Sequence, residues 1–105
     1  MSDANIPALL EELREVEPLL WEKITYLDQG DRVIKFAYQV LDDFALDHLQ
    51  GCIQRACEHQ KWIWHHGHGP EMGYVATVNH GNIIKGETSA AAILAAYIEA
   101  VRASK

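Results

Sequence analysis

The chain has 105 residues, 49% of them hydrophobic and 23% charged, which are ordinary values for one soluble globular domain covering residues 1–105. The formal net charge of −6 originates in residues 1–50, which hold eleven acids and four bases, and this excess disfavours direct binding to nucleic acid. The sequence shows no basic and apolar leader and no apolar run near the roughly 20 residues of a membrane span, so a cytoplasmic protein is expected.

Residues 1–42 are predicted to form an acidic, helical N-terminal part. Asn5-Ile6-Pro7 is typical of a helix start, because proline fits the first helical turn. Apolar side chains at helical spacing define one face, and they are Ile6, Leu9, Leu10, Leu13 and Val16. Acids are assigned to the opposite face, and they include Glu11, Glu12, Glu15 and Glu17. Pro18 is expected to interrupt the helix, which then continues through Leu20, Trp21, Ile24 and Leu27.

The next segment has two possible structures. Residues 28–31 are predicted to form a turn because they contain Asp, Gly and Asp. Residues 33–41 fit a strand with period two and also a helix, and periodicity alone cannot distinguish them over so short a segment. We favour the helix slightly, since no helix-breaking residue separates the segment from the helix that follows.

Another helix is predicted from Asp42 or Asp43, whose carboxylates can cap its first turn. Its buried face is expected to include Leu49, Cys52 and Ile53, with His48 on the solvent side. Gly51 within this helix suggests close packing against a neighbour. Cys57 is interpreted as a small apolar core residue rather than a reactive thiol.

A run rich in tryptophan and histidine extends from Lys61 to Glu71. A strand would place Trp62, Trp64 and His66 on one face and His65 on the other, with Gly67, Gly69 and Pro70 forming the loop that follows. Histidine and carboxylate are ligands of transition metals, so a metal site is an alternative here. Its ligands would be His66, His68, His80 and Glu71. The main expectation is that the chain binds no metal and no other cofactor.

The same histidines allow an enzymatic alternative. Residues 65–68 followed by Asn-His-Gly-Asn at 79–82 resemble the pattern of His-Asn-His nucleases, in which one histidine activates water and others hold a divalent ion. The last predicted helix lacks the second metal-binding histidine of that pattern. We also find no phosphate-binding glycine loop and no nucleophile elbow, so the chain is expected not to be an enzyme.

Residues 74–103 contain the most consistent signals in the chain. Alternation from Tyr74 to Val78 predicts a strand, residues 79–82 a tight turn, and residues 83–85 a returning strand. Thr88 or Ser89 can cap an alanine-rich helix with one continuous apolar face. The predicted fold is α+β, with N-terminal helices and a small antiparallel sheet, hairpin or meander, covered by the C-terminal alanine-rich helix.

Several of these motifs occur in the same order in small bacteriophage proteins. The helix from Asp43, the Trp62-Ile63-Trp64 strand, the strand from Tyr74 to Val78 and the helix start at residues 86–92 resemble the phage α-β-α sandwich domain and the lambdoid Nin-region X family. The resemblance covers about residues 43–103. It implies a helix-hairpin-helix body and a phage origin, and it assigns no functional residue.

These observations lead to a hypothesis about function. A small, acidic phage protein without a catalytic constellation would bind and inhibit a host protein, as an anti-defence inhibitor of the anti-CRISPR type, by docking on a basic nucleic-acid-binding surface. The candidate partner-binding residues are Glu11, Glu12, Glu15, Glu17, Trp62 and Trp64. The alternatives are the histidine-based metal-binding or nuclease-like protein described above, and a homodimer formed through Trp62 or Trp64.

Overall fold

The computed structural model describes residues 6–29, 32–35, 43–71 and 73–104. The first two elements are helices, α1 (Ile6–Val16) and α2 (Pro18–Thr25). The predicted interruption at Pro18 is confirmed, since α1 ends at Val16 and α2 begins at Pro18. Its cause is that proline has no N–H to donate to the preceding turn. Before the break, the Glu17 N–H donates to the Leu13 carbonyl at 2.7 Å, and after it the Trp21 N–H donates to the Glu17 carbonyl at 3.0 Å. The two helices are separated in the chain only by Glu17.

Two short antiparallel strands follow α2 and correct three predictions. They are β1 (Tyr26–Gln29) and β2 (Arg32–Lys35), with Gln29 opposite Arg32. Leu27, predicted to be helical, lies in β1. Of the turn predicted at 28–31, Asp28 and Gln29 belong to that strand, and residues 30–31 lie outside the described residues. The helix slightly favoured for residues 33–41 is wrong from Val33 to Lys35, because pairing with β1 stabilises the extended alternative. The remainder of that segment lies outside the described residues.

The helix α3 (Asp43–His59) is followed, two residues after its end, by a left-handed residue that is not glycine. Lys61 has φ of 60°, its N–H donates to the Glu58 carbonyl at 3.1 Å, and the Trp62 N–H donates to the Cys57 carbonyl at 2.8 Å. This pair of hydrogen bonds satisfies two carbonyls of the last turn in the Schellman arrangement. Gly51 is not a close contact point, since a Cβ added there would meet nothing within 4 Å.

Three antiparallel strands form a meander in the order β3 (Trp64–Gly69), β4 (Gly73–Val78) and β5 (Ile84–Gly86). The loop predicted to begin at Gly67 is wrong, because Gly67 and Gly69 lie in β3, opposite Val75 and Gly73. Neither glycine has positive φ, so both continue the extended backbone. The β4–β5 turn is confirmed. Asn79 and His80 have φ of 54° and 61°, as a type I′ turn requires.

The C-terminal helix α4 (Ser89–Ala103) is the middle layer of the fold. Thr88 is its N-cap, and the Thr88 hydroxyl accepts from the Ala91 N–H at 3.1 Å. The sheet packs on one side of α4, mainly through β4 and β5, while α1 and α3 pack on the other. Small side chains permit these approaches, and a Cβ added to Gly86 would lie 2.5 Å from the Ala92 nitrogen. The predicted α+β fold, with the sheet covered by the alanine-rich helix, is confirmed.

The buried side chains form one core that includes residues of α1, α2, α3, β4 and α4. Leu10, Leu13 and Ile24 are fully buried, which confirms the apolar face predicted for the N-terminal helices. None of the helices described has the length and apolar character needed to cross a membrane.

Candidate functional site

The outward side of α1 and α2 carries a row of exposed side chains. Within one helix, positions separated by three or four residues lie on the same side, so Glu11 and Glu15 share a side of α1, and Leu19 and Glu22 share a side of α2. We call the row on this side the acidic stripe, and it consists of Glu11, Glu15, Leu19 and Glu22, all exposed. At its centre Leu19 is 80% exposed, more than any other large hydrophobic side chain described. The stripe therefore combines three carboxylates with one apolar side chain.

Two ion pairs involve acids of α1, one of them a member of the acidic stripe. Arg14 lies 3.9 Å from Glu11, and Arg102 of α4 lies 4.0 Å from Glu12. The side chains in both pairs are about half exposed, so each pair is screened by water and contributes little to stability. The Arg14 guanidinium also lies 4.9 Å from the centre of the Trp21 ring. The two helices carry a net negative charge, since residues 6–24 contain five acids and two bases.

Glu17 differs from the other acids because it faces the core. Its carboxylate accepts a hydrogen bond of 2.9 Å from the Tyr97 hydroxyl, which in turn accepts from the Gln60 amide at 2.7 Å. Glu17 lies four residues after Leu13, on the buried side of the helix, so its assignment to the outer face is wrong. This spacing was the signal in the sequence. Burial and the hydrogen bond to Glu17 raise the pKa of the Tyr97 hydroxyl.

Trp62 and Trp64 are half-buried and pack against the core. The Trp62 ring centre lies 5.7 Å from that of Tyr97, in a tilted arrangement. Trp64 is the first residue of β3 and lies opposite Val78, a fully buried residue of β4. Both indoles therefore contribute to the fold and present only part of their surface to a partner.

The candidate metal ligands do not converge within one chain. His66 and His68 lie in β3, Glu71 follows that strand, and His80 lies in the β4–β5 turn near the opposite end of β4. His65 points to the other face of β3, because successive strand residues alternate. Among the residues that the structure describes, no three histidines, cysteines or acids are close enough together to hold a metal ion.

A cysteine and a histidine lie in contact on α3, and the predicted burial pattern of this helix had separated them. Cys52 Sγ lies 3.7 Å from His48 Nε2, and that nitrogen lies 3.2 Å from the Ile24 carbonyl oxygen. His48 is therefore half-buried against α2 rather than on the solvent side as predicted. The spacing of four residues on one helix was the signal. Burial raises the pKa of the Cys52 thiol, against smaller opposing effects of Arg55 and Lys23, so the pair lacks an activated thiolate.

A small cleft lies between the β4–β5 turn and the C-terminal half of α4. Its volume is about 120 Å³. Asn82 spans part of it, donating to Glu99 at 2.9 Å. Ligand pockets usually exceed roughly 300 Å³, so this cleft is too small to enclose a metabolite.

No protein-family model, curated protein or solved structure matches this chain.

Proposed function

We propose that this chain is a bacteriophage accessory protein without enzymatic activity that binds and inhibits a host protein in the host cytoplasm. Its acidic stripe would dock on a basic surface that otherwise holds nucleic acid, as an anti-CRISPR inhibitor does. The observation that supports this proposal best is the exposed row of Glu11, Glu15, Leu19 and Glu22 on the outward side of α1 and α2.

The chemistry of this row suits a basic protein partner. Exposed carboxylates on α1 and α2 attract lysine and arginine and accelerate encounter with a positively charged surface. An exposed apolar side chain among them can fill a pocket in the partner, and buried apolar anchors contribute most of the affinity of many interfaces. Leu19 is such an exposed apolar side chain, and Glu15 and Glu22 are exposed on either side of it in the sequence. Of the six partner-binding residues predicted, Glu11 and Glu15 belong to the stripe and Glu12 borders it.

Three features of the described residues favour binding over catalysis. The thiols of Cys52 and Cys57 both have raised pKa values, so neither is an activated nucleophile. Within the described part of the chain, no three histidines, cysteines or acids are close enough together to hold the divalent ion that the nuclease-like alternative uses. The cleft beside Glu99 is too small to enclose a substrate.

The experiment is capture from a bacterial host lysate followed by titration of the purified partner. We expect a variant with Glu11, Glu12 and Glu15 changed to Lys to bind that partner at least tenfold more weakly, a loss of about 1.4 kcal/mol. Binding of the unmodified chain should also weaken between 50 and 300 mM salt, because salt screens exposed charges.

A matched control reverses three exposed acids elsewhere, Glu58, Glu71 and Glu87, and so changes the net charge equally. This control should bind within about twofold of the unmodified chain. If the two triple variants lose affinity equally, net charge rather than the acidic stripe governs binding and the proposed docking site is wrong. A Leu19→Ala variant tests the apolar anchor separately and should lose several-fold in affinity without any change in salt dependence.

A further inference from the structure

The strand β3 lies at one edge of its sheet. Among the strands described, β3 pairs only with β4, so its other side presents backbone N–H and C=O groups to solvent. Four of its six residues are exposed. Proteins commonly protect such edges with lysine, proline or a bulge. The sequence of β3, Trp-His-His-Gly-His-Gly, contains no lysine and no proline.

Two histidines of β3 lie on one face of this edge. His66 and His68 are separated by one residue, so they point to the same side of the strand, about 6.5–7 Å apart along it. They lie opposite Ala76 and Tyr74, and Ala76 is buried beneath α4, so this is the α4 side of the sheet. Both histidines are nevertheless exposed, because α4 packs over β4 and β5 and contacts β3 least.

The His68 ring is positioned by a contact with Tyr74 that does not use the imidazole nitrogens. It stacks on Tyr74, with ring centres 4.4 Å apart and planes 37° from parallel. The lone pair of an imidazole nitrogen lies in the ring plane, so stacking on the ring face leaves that nitrogen free to bind a metal. His68 is thereby oriented before any ligand arrives, which lowers the entropy lost on binding.

We propose that two copies of this chain bind one Zn²⁺ ion through His66 and His68 of each, with their β3 strands paired antiparallel about Gly67. One copy provides two imidazoles, whereas zinc in proteins is normally held by three or four side chains in a tetrahedral arrangement. A two-fold axis doubles the two ligands to four. This inference does not depend on the proposed function, since it uses a different surface.

The register follows from the spacing of the histidines. With Gly67 opposite its own copy, His66 of one chain lies opposite His68 of the other, and all four imidazoles are on one face. Side chains directly opposite in an antiparallel pair have Cβ atoms about 4.5–5.5 Å apart, which two imidazoles can span to reach a shared ion. Glycine at the axis places no side chain on the opposite face, where a side chain at position 67 would lie directly against its own copy.

The test uses protein purified without a histidine tag and measures its mass in solution at about 50 μM by light scattering. We expect a monomer in EDTA, and a dimer with one zinc per two chains when half an equivalent of ZnCl₂ is added. EDTA should restore the monomer. The variants His66→Ala and His68→Ala should each raise the zinc concentration needed for dimerisation at least tenfold. Since both side chains are exposed, circular dichroism should show an unchanged fold.

Two further variants separate this arrangement from other zinc-binding modes. His65→Ala removes a histidine from the opposite face of β3 and should dimerise normally. Gly67→Lys places like charges at the two-fold axis and should prevent dimerisation while leaving His66 and His68 in place. The proposal is overturned if zinc leaves the chain monomeric, if His65→Ala is as damaging as His66→Ala, or if Gly67→Lys dimerises like the unmodified chain.

Discussion

At the scale of single residues, Tyr97 connects several parts of the molecule. Its hydroxyl donates to Glu17, between α1 and α2, and accepts from Gln60, just after α3, while its ring contacts Trp62. Tyr97 itself is 1% exposed. Because Glu17 lies on the buried side of its helix, the Tyr97 hydroxyl supplies the donor that its carboxylate needs away from bulk water.

We therefore predict that Tyr97→Phe lowers the free energy of unfolding by about 1–3 kcal/mol, since it leaves a partly buried carboxylate without this donor. Urea denaturation followed by circular dichroism would measure the change. Tyr74→Phe removes a hydroxyl from a tyrosine at the protein surface and should change stability by less than about 0.5 kcal/mol. Equal effects of the two substitutions would contradict the role assigned to the Glu17–Tyr97 hydrogen bond.

At the scale of elements, α4 combines a strong local start with close packing on two sides. The Thr88 hydroxyl satisfies one N–H of the first turn. The next residue is different, because Ser89 Oγ is buried and has no hydrogen-bond partner among the residues described. Either residue could have capped the helix by sequence. The geometry selects Thr88, whose backbone is extended, with φ of −138° and ψ of 166°.

This difference predicts opposite outcomes for two neighbouring substitutions. Thr88→Ala should cost about 1 kcal/mol of stability, because it removes the cap of the central helix. Ser89→Ala should be neutral or slightly stabilising, since it removes a buried hydroxyl that makes no hydrogen bond and also favours the helix. Thermal unfolding of both variants would measure this. A loss for Ser89→Ala as large as that for Thr88→Ala would show that the cap is assigned to the wrong residue.

At the scale of the whole molecule, the layers separate two surfaces. The acidic stripe lies on α1 and α2, on one side of α4, and the free edge of β3 belongs to the sheet on the other side. The core between them contains two ionisable groups that burial keeps protonated, the Tyr97 hydroxyl and the Cys57 thiol. Burial, with a smaller effect of Glu58, raises the pKa of Cys57 from 9.0 to about 11.

The shared core should therefore be sensitive to alkaline pH. A raised pKa means that the folded state holds the proton more tightly than the unfolded state. The contribution of the protonated Cys57 thiol to the free energy of unfolding is therefore fully present below about pH 9 and is lost as the pH rises towards 11. We predict a fall in the free energy of unfolding between pH 9 and 11. In Cys57→Ala this fall should be shallower, whatever the variant's stability at pH 7. Parallel pH profiles for the two proteins would exclude the thiol as a cause.

Local sequence patterns predicted correctly those elements whose stabilising interactions lie within a few residues. The interruption at Pro18, the tight turn after Val78 and the capped start of α4 depend on backbone geometry and on hydrogen bonds between near neighbours. Helical periodicity likewise determined that Leu10 and Leu13 would be buried. Of the candidate docking residues, exposure at Glu11 and Glu15 followed from the same periodicity.

Other features depend on segments that are far apart in the sequence and meet only in the folded chain. Val33 to Lys35 form a strand because β1 lies beside them, and β3 continues through Gly67 and Gly69 because β4 pairs with it. The hydrogen bond that the Glu17 carboxylate accepts comes from Tyr97, which is 80 residues away in the chain. Strand pairing and buried hydrogen bonds join segments that are distant in the sequence, and a local pattern cannot show which segments will meet. For this reason the positions of the candidate site residues relative to one another could be read only from the folded chain.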